Sequence, residues 1–167
     1  MILYINRFQT GYGDMILMKS PAGLCFVGLP GASLEEAKLW GKKHFKSPEF
    51  IDSPDNLRTE REQLQEYLAG RRRDFDLTLD IRHAPFSKKV LRAVAEVNYG
   101  QTATYGGIAR QVGSPRASRA VGRANATNPL PIVIGCHRIL GSDGSLTGYG
   151  GGIELKKALL RLEQQPA

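Results

Sequence analysis

Only two of the 167 residues are cysteine, which excludes a fold stapled by disulfides and leaves Cys25 and Cys136 as free thiols of a reducing compartment. No apolar run approaches the roughly 20 residues that a membrane-spanning helix needs. The opening Met1-Ile2-Leu3-Tyr4-Ile5 is too short for a signal-peptide core and Arg7 soon interrupts it, so a cytoplasmic location without membrane contact is expected. Histidine is nearly as scarce. His44 and His83 form no close ligand pair with Cys25, so no metal site is expected. Glycine is plentiful, but Gly148-Tyr149-Gly150-Gly151-Gly152 lacks the strand-turn-helix context of a nucleotide-binding loop, so no small-molecule cofactor is expected either.

Negative charge is missing from one half of the chain. Residues 1–83 hold twelve Lys and Arg against twelve Asp and Glu, whereas residues 84–167 hold eleven against four. The whole net charge of +7 therefore lies in the second half. Such one-sidedness points to a polyanionic partner, because Lys and Arg that neutralise phosphates release condensed counterions. With 41% hydrophobic residues the chain can fill two small cores, and its character changes near residue 84, which predicts domains at 1–83 and 84–167.

In the first half, Met1 to Arg7, Met15 to Lys19 and Leu24 to Leu29 read as short strands across glycine-rich turns, an antiparallel meander. Ser33-Leu34-Glu35-Glu36 is a capping box that opens a helix to about His44. A second helix follows Pro54 through Leu57, Leu64 and Leu68, and a strand is expected at Phe75 to Leu79. The second half is mostly helical. Phe86, Val90, Val94 and Val97 recur at helical spacing, and Thr104 can cap a short helix that Gly113 closes. Ser114-Pro115 is expected to start the next helix, with Ser114 as N-cap, running to about Asn125. Two helices across a one-glycine turn form a helix-turn-helix pattern. The second carries Arg116, Arg119 and Arg123 among Ala117, Ala120, Gly122 and Ala124, small residues that let a basic backbone approach a partner closely.

Chemistry concentrates in Pro131-Ile132-Val133-Ile134-Gly135-Cys136-His137-Arg138-Ile139. A thiol at the end of a β-branched run, with two cationic neighbours able to favour the thiolate, has the makings of a nucleophile. Taken alone it is as compatible with a small buried hydrophobe.

The surrounding motifs go further. Thr104-Tyr105, the stretch Ser114 to Gly122, Asn128-Pro129-Leu130-Pro131, Cys136-His137-Arg138-Ile139 and Leu146 to Gly152 stand in order ahead of a helix with Lys156 and Glu163. This region, Phe86 to Glu163, resembles the O6-alkylguanine-DNA alkyltransferases, which move an alkyl group from damaged DNA to their own cysteine; the first half resembles them by element order and length. The resemblance implies an α+β protein with an N-terminal ribonuclease-H-like α/β domain and a C-terminal winged helix-turn-helix-like domain, acting on double-stranded DNA as a monomer. It implies that the damaged nucleotide is flipped out of the duplex. Arg119 would fill the vacated space, with Arg116, Ser118, Ala120, Gly122 and Arg123 along the DNA-facing helix. Tyr105 would donate to the flipped base, Asn128 would brace the turn behind Cys136, and Gly148, Tyr149, Gly150 and Ile139 would form the base pocket, with O4-alkylthymine a further candidate substrate. His137 would relay the thiol proton through a water, oriented by Glu163, because adjacent residues of an extended segment point to opposite faces.

One departure from the family pattern is Gly135, where proline usually precedes the cysteine. Glycine loosens the backbone that proline would fix, which predicts slower transfer than in a Gly135→Pro variant. It also keeps open a second function, a lesion-binding sensor or regulator without efficient transfer. A thiol-dependent hydrolase is the third; such an enzyme would regenerate its cysteine and an alkyltransferase would not.

Overall fold

Along Ile2–Thr10 the side chains of Leu3, Ile5 and Phe8 are buried, and this strand, β1, returns through a tight hairpin into β2, Gly13–Ser20. β3, Gly23–Gly28, extends the meander on the far side of β2, and the sheet order is β3-β2-β1-β4. β4, Glu49–Asp52, was not expected from the sequence and pairs parallel to β1. Four residues are too few to carry a readable alternation, so only the partner strand defines it. A computed structural model of the chain describes residues 1–166 and divides into two compact units, Met1–Arg82 and a second that begins at His83.

In the first unit, helix α1, Leu34–His44, starts from Ser33, whose hydroxyl accepts from the Glu36 amide while Glu36 reaches back to the Ser33 amide. Its buried Ala37 packs into a core with Leu3, Ile5, Ile16, Met18, Cys25 and Phe45. Helix α2, Arg58–Leu68, buries Leu64 and Tyr67. The strand expected at Phe75 to Leu79 does not form; Leu79 makes one isolated bridge to Leu24. Leu24 N–H donates to the Thr78 carbonyl and Asp80 N–H to the Leu24 carbonyl, and a Cβ on Gly23 would stand 2.5 Å from the Thr78 oxygen, an approach that glycine allows.

The second unit packs α3, Pro85–Ala95, α4, Tyr105–Gln111, and α5, Ser118–Ala126, against one another. Proline opens α3, and Val90, Leu91 and Val94 form its buried stripe. Thr104 caps α4 by accepting from the Gly107 amide at 3.0 Å, and Gly113 ends the helix with φ of +79°. Helix α5 begins three residues later than the Pro115 start expected. Ala117 N–H donates to Ser114 O, so Pro115 occupies the second position of a turn rather than the first turn of a helix. A parallel pair of two-residue strands, β5 Ala103–Thr104 and β6 Ile139–Leu140, leads to α6, Ile153–Gln164. Among the described residues no helix is long and apolar enough to cross a membrane.

Candidate active site

The β-branched run before Cys136 looks like a strand in sequence and folds as a turn. Ile134 N–H donates to Leu130 O at 2.8 Å, and the buried Ile132 between them has φ of +72°, a conformation that costs a β-branched residue on the order of 1–3 kcal/mol. Asn128 holds this turn from both sides, accepting from Leu130 N–H at 2.9 Å and donating to Ile134 O at 3.1 Å. Cys136 N–H then donates to Ile134 O at 2.7 Å across Gly135, whose φ of −69° and ψ of 58° make an inverse γ-turn. Cys136–Arg138 form a single 3-10 turn. The segment is therefore not extended, and the alternation expected between Cys136 and His137 does not apply.

Cys136 is 4% exposed, and burial pushes its thiol pKa up. Hydrogen bonds from Asn128 and Tyr149 and the positive charge of Lys156 pull it back. The cation that acts on the sulfur is thus Lys156, not His137 or Arg138 as the sequence suggests. His137 is fully buried, and burial is the largest influence on it, holding its pKa below the ordinary value and the ring neutral. The Arg138 and Lys156 charges push the same way, whereas the hydrogen bond and charge of Glu163 oppose them. His137 Nε2 lies 2.7 Å from Glu163 Oε2. A carboxylate only accepts, so Nε2 carries the proton and Nδ1 is the basic nitrogen.

Glu163 is itself buried and held by four donors. Besides His137, Arg138 donates Nε to Oε1 at 2.9 Å and Nη2 to Oε2 at 3.0 Å, and Gly100 N–H donates to Oε1 at 3.1 Å. Such a carboxylate stays ionised and fixed in direction.

A cavity of about 750 Å³ lies between α4, α5 and the loop before α6. Helix α5 lines it with Ser118, Arg119 and Gly122, α4 with Tyr105, and the loop before α6 with Gly148, Tyr149 and Gly150. Tyr149 both lines the cavity and hydrogen-bonds to the Cys136 thiol, so this one side chain links the cavity to the sulfur, and Cys136 itself is not among the lining residues. The Tyr105 hydroxyl is 2.7 Å from Thr147 Oγ1. Other predicted residues fall elsewhere. Arg123 is exposed one turn along α5 from Arg119, Ala120 is half-buried, and Arg116 lies in the turn ahead of the helix. Ile139 does not line the cavity; it is fully buried on β6, where its carbonyl receives Lys156.

The model of the 6-O-methylguanine DNA methyltransferase DNA-binding domain matches residues 85–165, and that of the same family's ribonuclease-like domain matches residues 3–81. The chain belongs to this family. It is 46% identical over 163 residues to a methylated-DNA--protein-cysteine methyltransferase of Methanosarcina barkeri, covering 97% of this chain and 98% of that one. The crystal structure of Mycobacterium tuberculosis OGT in complex with DNA matches with a TM-score of 0.82 at 34% identity, covering 96% of this chain and 92% of that one. The O6-methylguanine-DNA methyltransferase of Pyrococcus kodakaraensis matches with a TM-score of 0.67 at 27% identity, covering 98% of this chain and 99% of that one. The mixed α+β architecture with a helical C-terminal unit is common to them.

In this methyltransferase-family chain two residues take a place around Cys136 for which the sequence suggested no role. Lys156 is fully buried and donates to Ile139 O at 2.7 Å and Thr147 O at 3.3 Å. Its signal is positional, since Lys156, Leu159 and Glu163 fall on one helix face and a lysine on that face has to find partners inside. Asn125, on the buried face of α5, donates to Cys136 O at 3.2 Å. It resembles any polar helix residue until the 3-10 turn is seen beside it.

Proposed function

We propose that this protein repairs O6-alkylguanine in double-stranded DNA by moving the alkyl group to Cys136, and that each chain does so once. The observation that carries the reading is a buried thiol hydrogen-bonded to Tyr149 of the cavity wall, with Glu163 aligning His137 in the same 3-10 turn as the sulfur. The Sγ–H proton leaves through a water to His137 Nδ1, and the imidazolium formed is stabilised by Glu163. The thiolate attacks the alkyl carbon in line with the C–O6 bond; the S–C bond forms as the C–O6 bond breaks. The electron pair goes to the guanine, which takes up one proton, so the relay returns to its starting charge.

Base flipping is required because O6 lies inside the stack, and Arg119, exposed on α5 at the cavity edge, suits the vacated space. Gly122, also on the cavity wall, lets α5 approach the minor groove. Tyr105 donates to the ring as charge develops on the base, and Tyr149 with Gly148 and Gly150 closes over it. The product is a thioether, which a histidine and a carboxylate do not cleave, so turnover ends there. Two free thiols favour a reducing compartment, the cytoplasm.

A lesion sensor has no need of a buried thiol backed by a proton relay, which favours transfer over binding alone. Intact mass and peptide mapping after incubation with excess duplex containing O6-methylguanine test the reading. One methyl per chain on Cys136 is expected. An unmodified chain that still binds the duplex would leave only a binding module.

A further inference from the structure

A hydrogen bond joins two walls of the cavity. Tyr105 opens α4 and Thr147 lies on the loop before α6; both line the cavity, and their hydroxyl oxygens stand 2.7 Å apart across 42 residues of sequence. Thr147 is held by its main chain as well. Its carbonyl accepts from Lys156 Nζ at 3.3 Å, the ammonium that also donates to Ile139 O and acts on the Cys136 sulfur. Gly141 N–H donates to Ser145 O at 3.0 Å and Gly152 N–H to Tyr149 O at 2.9 Å, so turns bracket the stretch from Leu146 to Gly148. A Cβ on Gly148 or Gly150 would meet nothing within 4 Å. In a loop so open and so rich in glycine, the Lys156 contact fixes Thr147 relative to the thiol.

We propose that Thr147 is a positioning residue for methyl transfer: its hydroxyl aims the Tyr105 O–H at the flipped base and supports the phenol oxygen as its proton is drawn towards the ring. For its effect on rate this inference rests on the alkyl-transfer reading above. A phenol hydroxyl has one proton to give and lone pairs that accept. In the free protein either oxygen of the pair can be the donor. Once Tyr105 turns its O–H to a base in the cavity, the Thr147 hydroxyl donates to the Tyr105 oxygen. That bond strengthens as negative charge passes from the base towards the phenol oxygen, because linked hydrogen bonds polarise one another. During transfer, charge leaves the sulfur and arrives on the base. Lys156 stands by the first and Tyr105 by the second, and Thr147 binds both, one through its carbonyl and the other through its hydroxyl.

Thr147→Val keeps the shape of the side chain and removes its hydroxyl, whereas Thr147→Ser keeps the hydroxyl. Single-turnover rates on duplex O6-methylguanine would be compared for wild type, both variants, Tyr105→Phe and the Thr147→Val/Tyr105→Phe double variant. Thr147→Val is expected to transfer about three- to tenfold more slowly, and Thr147→Ser within about twofold of wild type. Added to Tyr105→Phe, Thr147→Val should cost less than about a further twofold, since the hydroxyl it serves is gone. Iodoacetamide should label Cys136 equally fast in wild type and Thr147→Val, because Lys156 binds the Thr147 carbonyl and not its hydroxyl. In the full-length free protein, the NMR shift of the Tyr105 Cζ carbon responds to hydrogen bonding at the phenol oxygen. It is expected to move in Thr147→Val and to return in Thr147→Ser. A slowing by Thr147→Val that persists in full without the Tyr105 hydroxyl, slowed labelling of Cys136, a serine variant as slow as the valine one, or an unmoved Tyr105 Cζ overturns the inference. A wild type that transfers no methyl would sink the repair reading, and the Tyr105 Cζ comparison would still decide whether Thr147 sets the phenol hydroxyl.

Discussion

Cys25 and Cys136 are both buried thiols, each in a core of its own, and they have different fates. On β3, Cys25 donates to the Met18 carbonyl at 3.3 Å, and burial together with the negative charge of Asp80 pushes its pKa up to about 12. Around Cys136, Asn128 and Tyr149 donate towards the sulfur and Lys156 adds a cation. Burial raises both; the difference lies in which groups face the sulfur. At Cys25 the Asp80 carboxylate adds to burial against the weaker pulls of the Ser20 backbone and the Arg82 charge, whereas at Cys136 the donors and the ammonium all favour the thiolate. The charge of the two halves follows the same division, balanced in the first and strongly positive in the second.

The sharpest way to break this contrast is to remove each sulfur in turn. Cys136→Ala should abolish methyl transfer in the mass assay, whereas Cys25→Ala should transfer at a rate within about twofold of wild type. Methylation of the Cys136→Ala chain would end the assignment of the nucleophile.

Next in size is the alkaline limit of stability. The folded-state pKa of Cys25 lies above its unfolded value, so its contribution is complete below pH 9 and disappears as pH rises towards about 12. The loss over that window reaches about 4 kcal/mol, and chemical denaturation of Cys25→Ala should show a flatter alkaline limb. His137 acts at the opposite end. Its folded pKa is depressed, so the unfolded chain binds more protons below 6.5 and stability should decline as pH falls from there.

Methylation should separate the two cores as well. A methyl group added to Cys136, 4% exposed, overfills its site by about 1–3 kcal/mol. The melting temperature should drop by about 2–4 °C for each kcal/mol, and an unchanged value after stoichiometric methylation would refute tight packing there. The smallest effect concerns Lys156. Lys156→Met removes the cation facing the sulfur, raises the thiol pKa and should slow iodoacetamide labelling of Cys136 about tenfold at pH 8. Labelling of Cys25 should stay negligible in both proteins.

Local signals were the legible ones. The Ser33 to Glu36 capping box and the Thr104 cap involve residues three apart, and both form as the sequence predicts. Elements that depend on a distant partner were not legible. β4 exists because β1 lies beside it, and the stretch Phe75 to Leu79 meets β3 in an isolated bridge at Leu24 and does not extend it. In the site, Cys136 and its basic neighbours stand out by composition, but the His137–Glu163 contact spans 26 residues and only the family resemblance pointed to it. The positive φ of Ile132 contradicts every local preference of that residue, so a turn there reads as a strand until Asn128 is seen holding it.

Asn125 ties the main chain of Cys136 to the buried face of α5, the helix whose other face carries Arg119. Helix and sulfur therefore behave as a ruler of fixed length: the reach from the duplex surface to the thiol is not adjustable. The mobile partner is the nucleotide, which has to travel the whole way. Lesions already loosened from their neighbours, by a mismatch or a nearby nick, should be repaired faster than the same lesion in a well-stacked duplex, although the chemistry at sulfur is identical.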